Sequence, residues 1–198
     1  MNLGSMQSLT ISIISGANRS GRQSVRVARH LESLLLQRSE VEEVLFLDVH
    51  EYDFPNYIDG SERSDELNRK VEEFSRKLWA SDAVILVSPE YNGGMAGSTK
   101  NILDYFRKEY ERRPFGLVSV SSGSMGGINA MHQMVDFVSY VGGYLCNRRL
   151  LVSGVGSAFD ESGNVNSALL AQNAPLFLDD LTTMAAKLKA TDAVPHGI

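Results

Sequence analysis

Ala83-Val84-Ile85-Leu86-Val87 is apolar at every position. A strand of alternating polarity can leave one face in water. This one has no polar face, so helices must cover it on both sides, as they do in a parallel sheet.

The remaining sequence supplies such layers in alternation. Leu9-Thr10-Ile11-Ser12-Ile13-Ile14 is a short β-branched run that stops at Ser15-Gly16, and residues 22–37 then carry Val27, Leu31, Leu34 and Leu35 as a helical stripe. Val44 to Leu47 reads as a second strand, followed by a loop rich in aromatics, and residues 66–80 as a helix through Leu67, Val71, Phe74 and Leu78. After the third strand a helix is expected from Gly97 or Ser98, with Ile102, Leu103 and Phe106 inward. A fourth strand over 115–120, a helix over 128–141 and a fifth strand over 144–152 come next. A Gly/Ser/Asp/Asn loop (153–166) leads to a closing helical region, striped by Phe177, Leu181, Met184 and Leu188, that Pro175 should kink or divide.

Five strands separated by helices call for a doubly wound parallel α/β sheet with right-handed crossovers. A sixth strand and a G-x-G-x-x-G turn, which would favour a Rossmann-like arrangement, are missing. The expectation is a flavodoxin-like three-layer fold with strand order 2-1-3-4-5. The loops after strands one and three then border the ligand crevice. One domain is expected over residues 9–190. Residues 1–8, with Gly4-Ser5-Met6 resembling a cloning scar, should be disordered or tag-derived, and 191–198 a tail.

A net charge of −5 and a pI near 5.4 argue against a nucleic-acid groove. No run approaches the roughly 18 apolar residues of a membrane span, and no basic-then-apolar start suggests a secretory signal. One cysteine, Cys146, can form neither an internal disulfide nor a zinc cluster and suits a reducing, cytoplasmic setting. Four histidines (His30, His50, His132, His196) lack ligand spacing, so no metal site is expected.

Three loops carry the unusual composition. Ser15-Gly16-Ala17-Asn18-Arg19-Ser20-Gly21-Arg22-Gln23-Ser24 joins a strand end to a helix start, where free N–H groups and the helix dipole favour an anion. Hydroxyls of Ser15, Ser20 and Ser24 and the charge of Arg19 fit a phosphate. No Gly-Lys-Ser/Thr follows, which disfavours a nucleoside triphosphate. In Pro89-Glu90-Tyr91-Asn92-Gly93-Gly94, Gly93, Gly94 and Gly97 leave room for a flat group. Tyr91 offers a ring and a hydroxyl, and Glu90 is expected to order the loop or face solvent. Ser121-Ser122-Gly123-Ser124-Met125-Gly126-Gly127 again presents small residues and N–H groups beside a helix start. Together the loops make one crevice with a phosphate end and a planar, hydrogen-bonding end, which FMN would fill.

Ser88-Pro89-Glu90-Tyr91-Asn92 with Gly97 and Lys100-Asn101-Ile102-Leu103-Asp104-Tyr105, then Gly126-Gly127-Ile128-Asn129-Ala130, then Ser15-Gly16-x-x-Arg19 with Ser24, resemble the NAD(P)H-dependent FMN reductase family, nearest to bacterial azobenzene, quinone and chromate reductases. The resemblance covers residues 9–190. It departs at Ala17 and Val25, where many members carry Ser and Asn. It implies FMN held by Ser15, Asn18, Arg19 and Ser24 at the phosphate, and by Pro89, Glu90, Tyr91, Asn92, Gly93, Ser122, Gly123, Ser124 and Met125 around the ring system. NADPH or NADH would deliver hydride to the flavin, and a quinone, an azo compound or free flavin would then collect two electrons in a ping-pong cycle. No side-chain catalyst is required, since the cofactor carries the chemistry.

The family's homodimers or homotetramers would also give the rings of Tyr52, Phe54, Pro55 and Tyr57 a role over a neighbouring flavin; packing at the sheet edge is the other reading. Arg107, Lys108, Arg112 and Arg113 are either a lure for nucleotide phosphates, a solvated helix end or a subunit contact. Cys146 is expected to fill core space. A flavodoxin-type electron carrier is the alternative function, and a phosphohydrolase lacks the nucleophile and metal-binding carboxylates it would need.

Overall fold

A computed structural model describes residues 8–192. The expectations for residues 1–7 and 193–198, His196 included, lie outside them. Strand β1 (Leu9–Ser15) sits between β2 (Val41–Asp48) and β3 (Ala83–Tyr91), and β3 pairs in turn with β5 (Pro114–Val120), all in parallel. The outer edge is β6 (Tyr144–Leu145) beside the start of β5 and β7 (Leu150–Val152) beside its end. The order is thus 2-1-3-4-5 in units of the five expected strands. The fifth is split because exposed Asn147, Arg148 and Arg149 interrupt its apolar run.

Alternation along β3 feeds two cores. Ile85 and Val87 join Ile11, Ile13 and the buried faces of α1 (Ser24–Leu35) and α6 (Ala168–Asp192). Val84 and Leu86 join Ile14 and the faces of α3 (Asp65–Ala80), α4 (Gly97–Asp104) and α5 (Ile128–Tyr140). Every position of Ala83–Pro89 is buried, as a strand without a polar face requires. The closing helix α6 runs unbroken through Pro175 and so is not divided there. Cys146 is buried against Met184, and burial, with Asp180 nearby, pushes its thiol up to about 12.

The aromatic loop packs within the chain. A short helix α2 (Val49–Tyr52) delivers Tyr52 edge-on to Phe74 at 4.9 Å, and Phe54 meets Tyr105 at the same separation. Tyr57 stays half exposed on Tyr105. Sheet-edge packing therefore accounts for Tyr52 and Phe54. Of the basic cluster, Arg113 donates to the Trp79 carbonyl and Arg107 lies over the Tyr140 ring.

The second loop is a hairpin, not a direct step from strand to helix. β3 continues through Tyr91 and turns back as β4 (Gly94–Met95), with Glu90 opposite Met95 and Tyr91 opposite Gly94. Asn92 and Gly93 both have positive φ, 49° and 78°, as a tight two-residue turn demands.

Candidate functional site

The order β2-β1-β3 places the switch point between β1 and β3, so the β1–α1 loop and the β3 hairpin face each other. They are joined beneath the surface. The Gly16 carbonyl accepts from Ser98 Oγ (2.6 Å) and Thr99 Oγ1 (3.1 Å), and Thr99 meets Ser88 Oγ at 3.0 Å. A Cβ on Gly16 would stand 2.2 Å from Thr99 Oγ1, so only glycine lets the first loop lie this close to α4. On its other side the loop is braced by β2 and α2. Arg22 pairs with buried Asp48 at 2.6 Å, and His50 Nδ1 lies 2.6 Å from the Asn18 carbonyl oxygen.

Between these loops opens a cleft of about 600 Å³. Arg19, Gln23 and Ser24 form one end. Pro89, Glu90, Tyr91 and Asn92 supply one wall, and Val120, Ser121, Ser122, Val155 and Gly156 the other. Arg19 Nε donates to Tyr91 Oη at 2.8 Å across the mouth, leaving its terminal nitrogens for an anion.

Two helix starts border the cleft, and they differ. The Glu90 carboxylate accepts from the N–H groups of Asn129 (2.8 Å) and Ala130 (3.2 Å), which occupies the start of α5. The first turn of α1 has no side-chain cap and no acidic residue. Beside it the Ser24 hydroxyl is buried without a hydrogen-bond partner among the described residues. An uncapped helix start, an orphaned hydroxyl and an arginine are groups that can receive an anion. The residues present fit the phosphate of a mononucleotide there, and the hairpin and Ser121-Ser122 fit a planar group.

Seven of the thirteen expected side chains line the cleft: Arg19, Ser24, Pro89, Glu90, Tyr91, Asn92 and Ser122. The other six surround it. Ser15 is buried at the end of β1, its hydroxyl also unpartnered. Asn18 lies in a small separate polar cavity of about 120 Å³, and Gly93 is at the hairpin apex. Gly123, Ser124 and Met125 are exposed on the third loop. Gly94 offers no room for a flat group, because a Cβ there would stand 2.9 Å from the Gln133 amide. In the first turn of α5, which the third loop leads into, the N–H groups of Asn129 and Ala130 are held by Glu90. Gln23 and Ser121 belong to the first and third loops without being among the expected contacts, and Val120, Val155 and Gly156 lie outside the three loops. The last two arrive because Ser121 and Gly123 bind backbone N–H groups of Val155 and Gly154.

No grouping of three His, Cys, Asp or Glu side chains that could hold a metal occurs among the described residues, and none of their helices is long and apolar enough to cross a membrane.

A family model described as NADPH-dependent FMN reductase matches residues 9–156. The chain belongs to the NADPH-dependent FMN reductase family. Among its relatives, an NADPH azoreductase of Bacillus sp. (strain OY1-2) is 40% identical over 65 residues, 32% of this chain and 36% of that one. A quinone reductase of Pseudomonas putida is 32% identical over 100 residues, 47% and 53% of the two chains. The chain thus spans about half or less of the length of these relatives. The flavoenzyme NAD(P)H:(acceptor) oxidoreductase FerB of Paracoccus denitrificans shares the fold, with a TM-score of 0.76 over 90% of this chain and 98% of its own, at 21% identity.

Proposed function

We propose that this member of the reductase family is an FMN-dependent NAD(P)H oxidoreductase that hands two electrons to planar, electron-poor acceptors such as quinones, azo compounds or flavin. The observation that carries this reading is the contrast between the two helix starts. One is closed by Glu90, while the other is left open beside Arg19 and the orphaned Ser24 hydroxyl. That asymmetry gives a mononucleotide a single direction in which to lie.

Bound FMN would supply the redox chemistry, taking hydride from NAD(P)H and passing two electrons on. The chain's own residues bind and orient. Ser24 Oγ, Arg19 and the α1 N–H groups would hold the phosphate. Backbone from Pro89 to Asn92 and from Ser121 to Ser122 would address the ring edge. Tyr91 closes the mouth and limits water. Ser15, Asn18, Gly93, Gly123, Ser124 and Met125 complete the proposed set as outer contacts. A homodimer or homotetramer in the cytoplasm completes the reading.

The visible spectrum of purified protein tests it. Flavin bands that bleach fully with anaerobic NADPH, without a lasting semiquinone, and return on adding a quinone are expected. Protein that stays colourless and takes up no FMN on titration would overturn it.

A further inference from the structure

Asn92-Gly93, at the apex of the hairpin, is the chain's sole asparagine–glycine step. Both residues are exposed. Neither the Asn92 side-chain amide nor the Gly93 N–H has a hydrogen-bond partner among the described residues. Nothing stands within 4 Å of where a Cβ on Gly93 would lie, so the approach to the Gly93 nitrogen is open on that side.

The amide nitrogen that follows an asparagine can close on the side-chain carbonyl carbon, Cγ, as a five-membered ring. Glycine hinders this least, because it brings no side chain to crowd the ring. Water is the only reagent the reaction needs. A base from solvent takes the Gly93 N–H proton, the N–Cγ bond forms, and the Cγ–Nδ2 bond breaks. The leaving nitrogen recovers a proton from solvent and departs as ammonia. Water then opens the ring at either carbonyl, leaving aspartate or isoaspartate at position 92. Nothing is oxidised or reduced.

The fold holds this turn closed only loosely. Asn92 sits at φ 49°, a left-handed conformation that is costly for a residue with a side chain. Two pairs tie the apex to the rest of the hairpin, Glu90 opposite Met95 and Tyr91 opposite Gly94. Exposed tips of this kind open locally while the remainder of a fold stays intact. Asn92 also lines the cleft. A ligand that fills the cleft stands against it and keeps the turn from opening; protein without that ligand has no such support.

We propose that Asn92 is a site of spontaneous deamidation, through which protein left without cofactor loses its ability to bind one. The chemistry stands on the hairpin alone, while protection by FMN rests on the reductase reading. Either product places a carboxylate in the cleft wall. Isoaspartate also adds a carbon to the main chain, which a two-residue turn cannot take without losing its register.

The test ages cofactor-free and FMN-saturated protein side by side in mildly alkaline buffer, with loading checked by the flavin spectrum. Peptide mass spectrometry follows the conversion, whose product is one mass unit heavier. Exposed Asn147, followed by Arg148, is the internal reference. FMN affinity is measured before and after ageing on wild type and on Asn92→Gln, whose longer side chain would have to close a six-membered ring. Asn92 is expected to convert about tenfold faster than Asn147, and about tenfold faster without FMN than with it. Converted wild type should bind FMN about tenfold more weakly, whereas the aged Gln variant keeps its fresh value. Conversion no faster than at Asn147, equal conversion with and without bound FMN, or an equal loss of affinity in the Gln variant would overturn it. Should the protein take up no FMN at all, the reductase reading fails, while the comparison of Asn92 with Asn147 still decides the site.

Discussion

The carboxylate of Glu90, at the end of β3, caps α5 through the N–H groups of Asn129 and Ala130, 39 and 40 residues further on. One side chain thus fixes the hairpin wall of the cleft to the helix behind it, and withdraws that helix start from ligand binding. Glu90→Ala should lower apoprotein stability by about 1–2 kcal/mol in urea unfolding, the cost of losing a charged cap. Glu90→Gln, which keeps an accepting oxygen, should lose less. FMN affinity should follow the same order; an Ala variant as stable as wild type would show that the cap carries no weight.

Ser24→Ala should separate binding from stability. The Ser24 hydroxyl is buried and unpartnered, so removing it leaves the apoprotein as stable as before or up to about 1 kcal/mol more so. Flavin-fluorescence titration should show FMN affinity down by about tenfold, the worth of one charge-assisted hydrogen bond. A fall in apoprotein stability with unchanged affinity would place the hydroxyl in the core instead.

What the sequence conveyed reflects the range of the interactions involved. The strand order and the three loops were legible because Ala83 to Val87 admits only a double cover and glycines and serines mark the strand exits. The cap by Glu90 is half legible: ordering of the loop is one of the two roles its position suggests, solvent exposure the other, and nothing local links residues 90 and 129. Asn92-Gly93 is a hairpin signal in its own right. The helix pattern that follows so soon masks it, and only the paired strand positions expose it. Val155 and Gly156 enter the cleft through backbone bonds to the third loop, a contact that no composition could announce.

Gly16 should tolerate nothing larger. An added Cβ meets Thr99 Oγ1 at 2.2 Å and Thr99 Cγ2 at 2.8 Å, so Gly16→Ala must push the first loop off α4. A loss of roughly 1–3 kcal/mol is expected, with weaker FMN binding as the loop shifts. In a Thr99→Ala background the two closest atoms are gone and only the Cβ of residue 99, at 2.9 Å, still crowds the added methyl, so the same Gly16→Ala change should cost less. Additive effects in that double-mutant cycle would refute the contact.

His30 gives the fold a pH dependence of definite sign. Burial lowers its pKa from the ordinary 6.5, so the unfolded chain takes up the proton first as pH falls. Stability contributed by the neutral ring is whole above the unfolded value and drains away as pH drops from there toward the lower folded value, at a slope of at most about 1.4 kcal/mol per pH unit. His30→Gln has no proton to gain. The loss of urea stability between about pH 7.5 and about pH 5.5 should therefore be smaller in the variant than in wild type, measured in buffer free of phosphate. An identical loss in both would mean that the buried ring titrates as it does in the open chain, and that the pocket between α1 and Phe159 admits water freely.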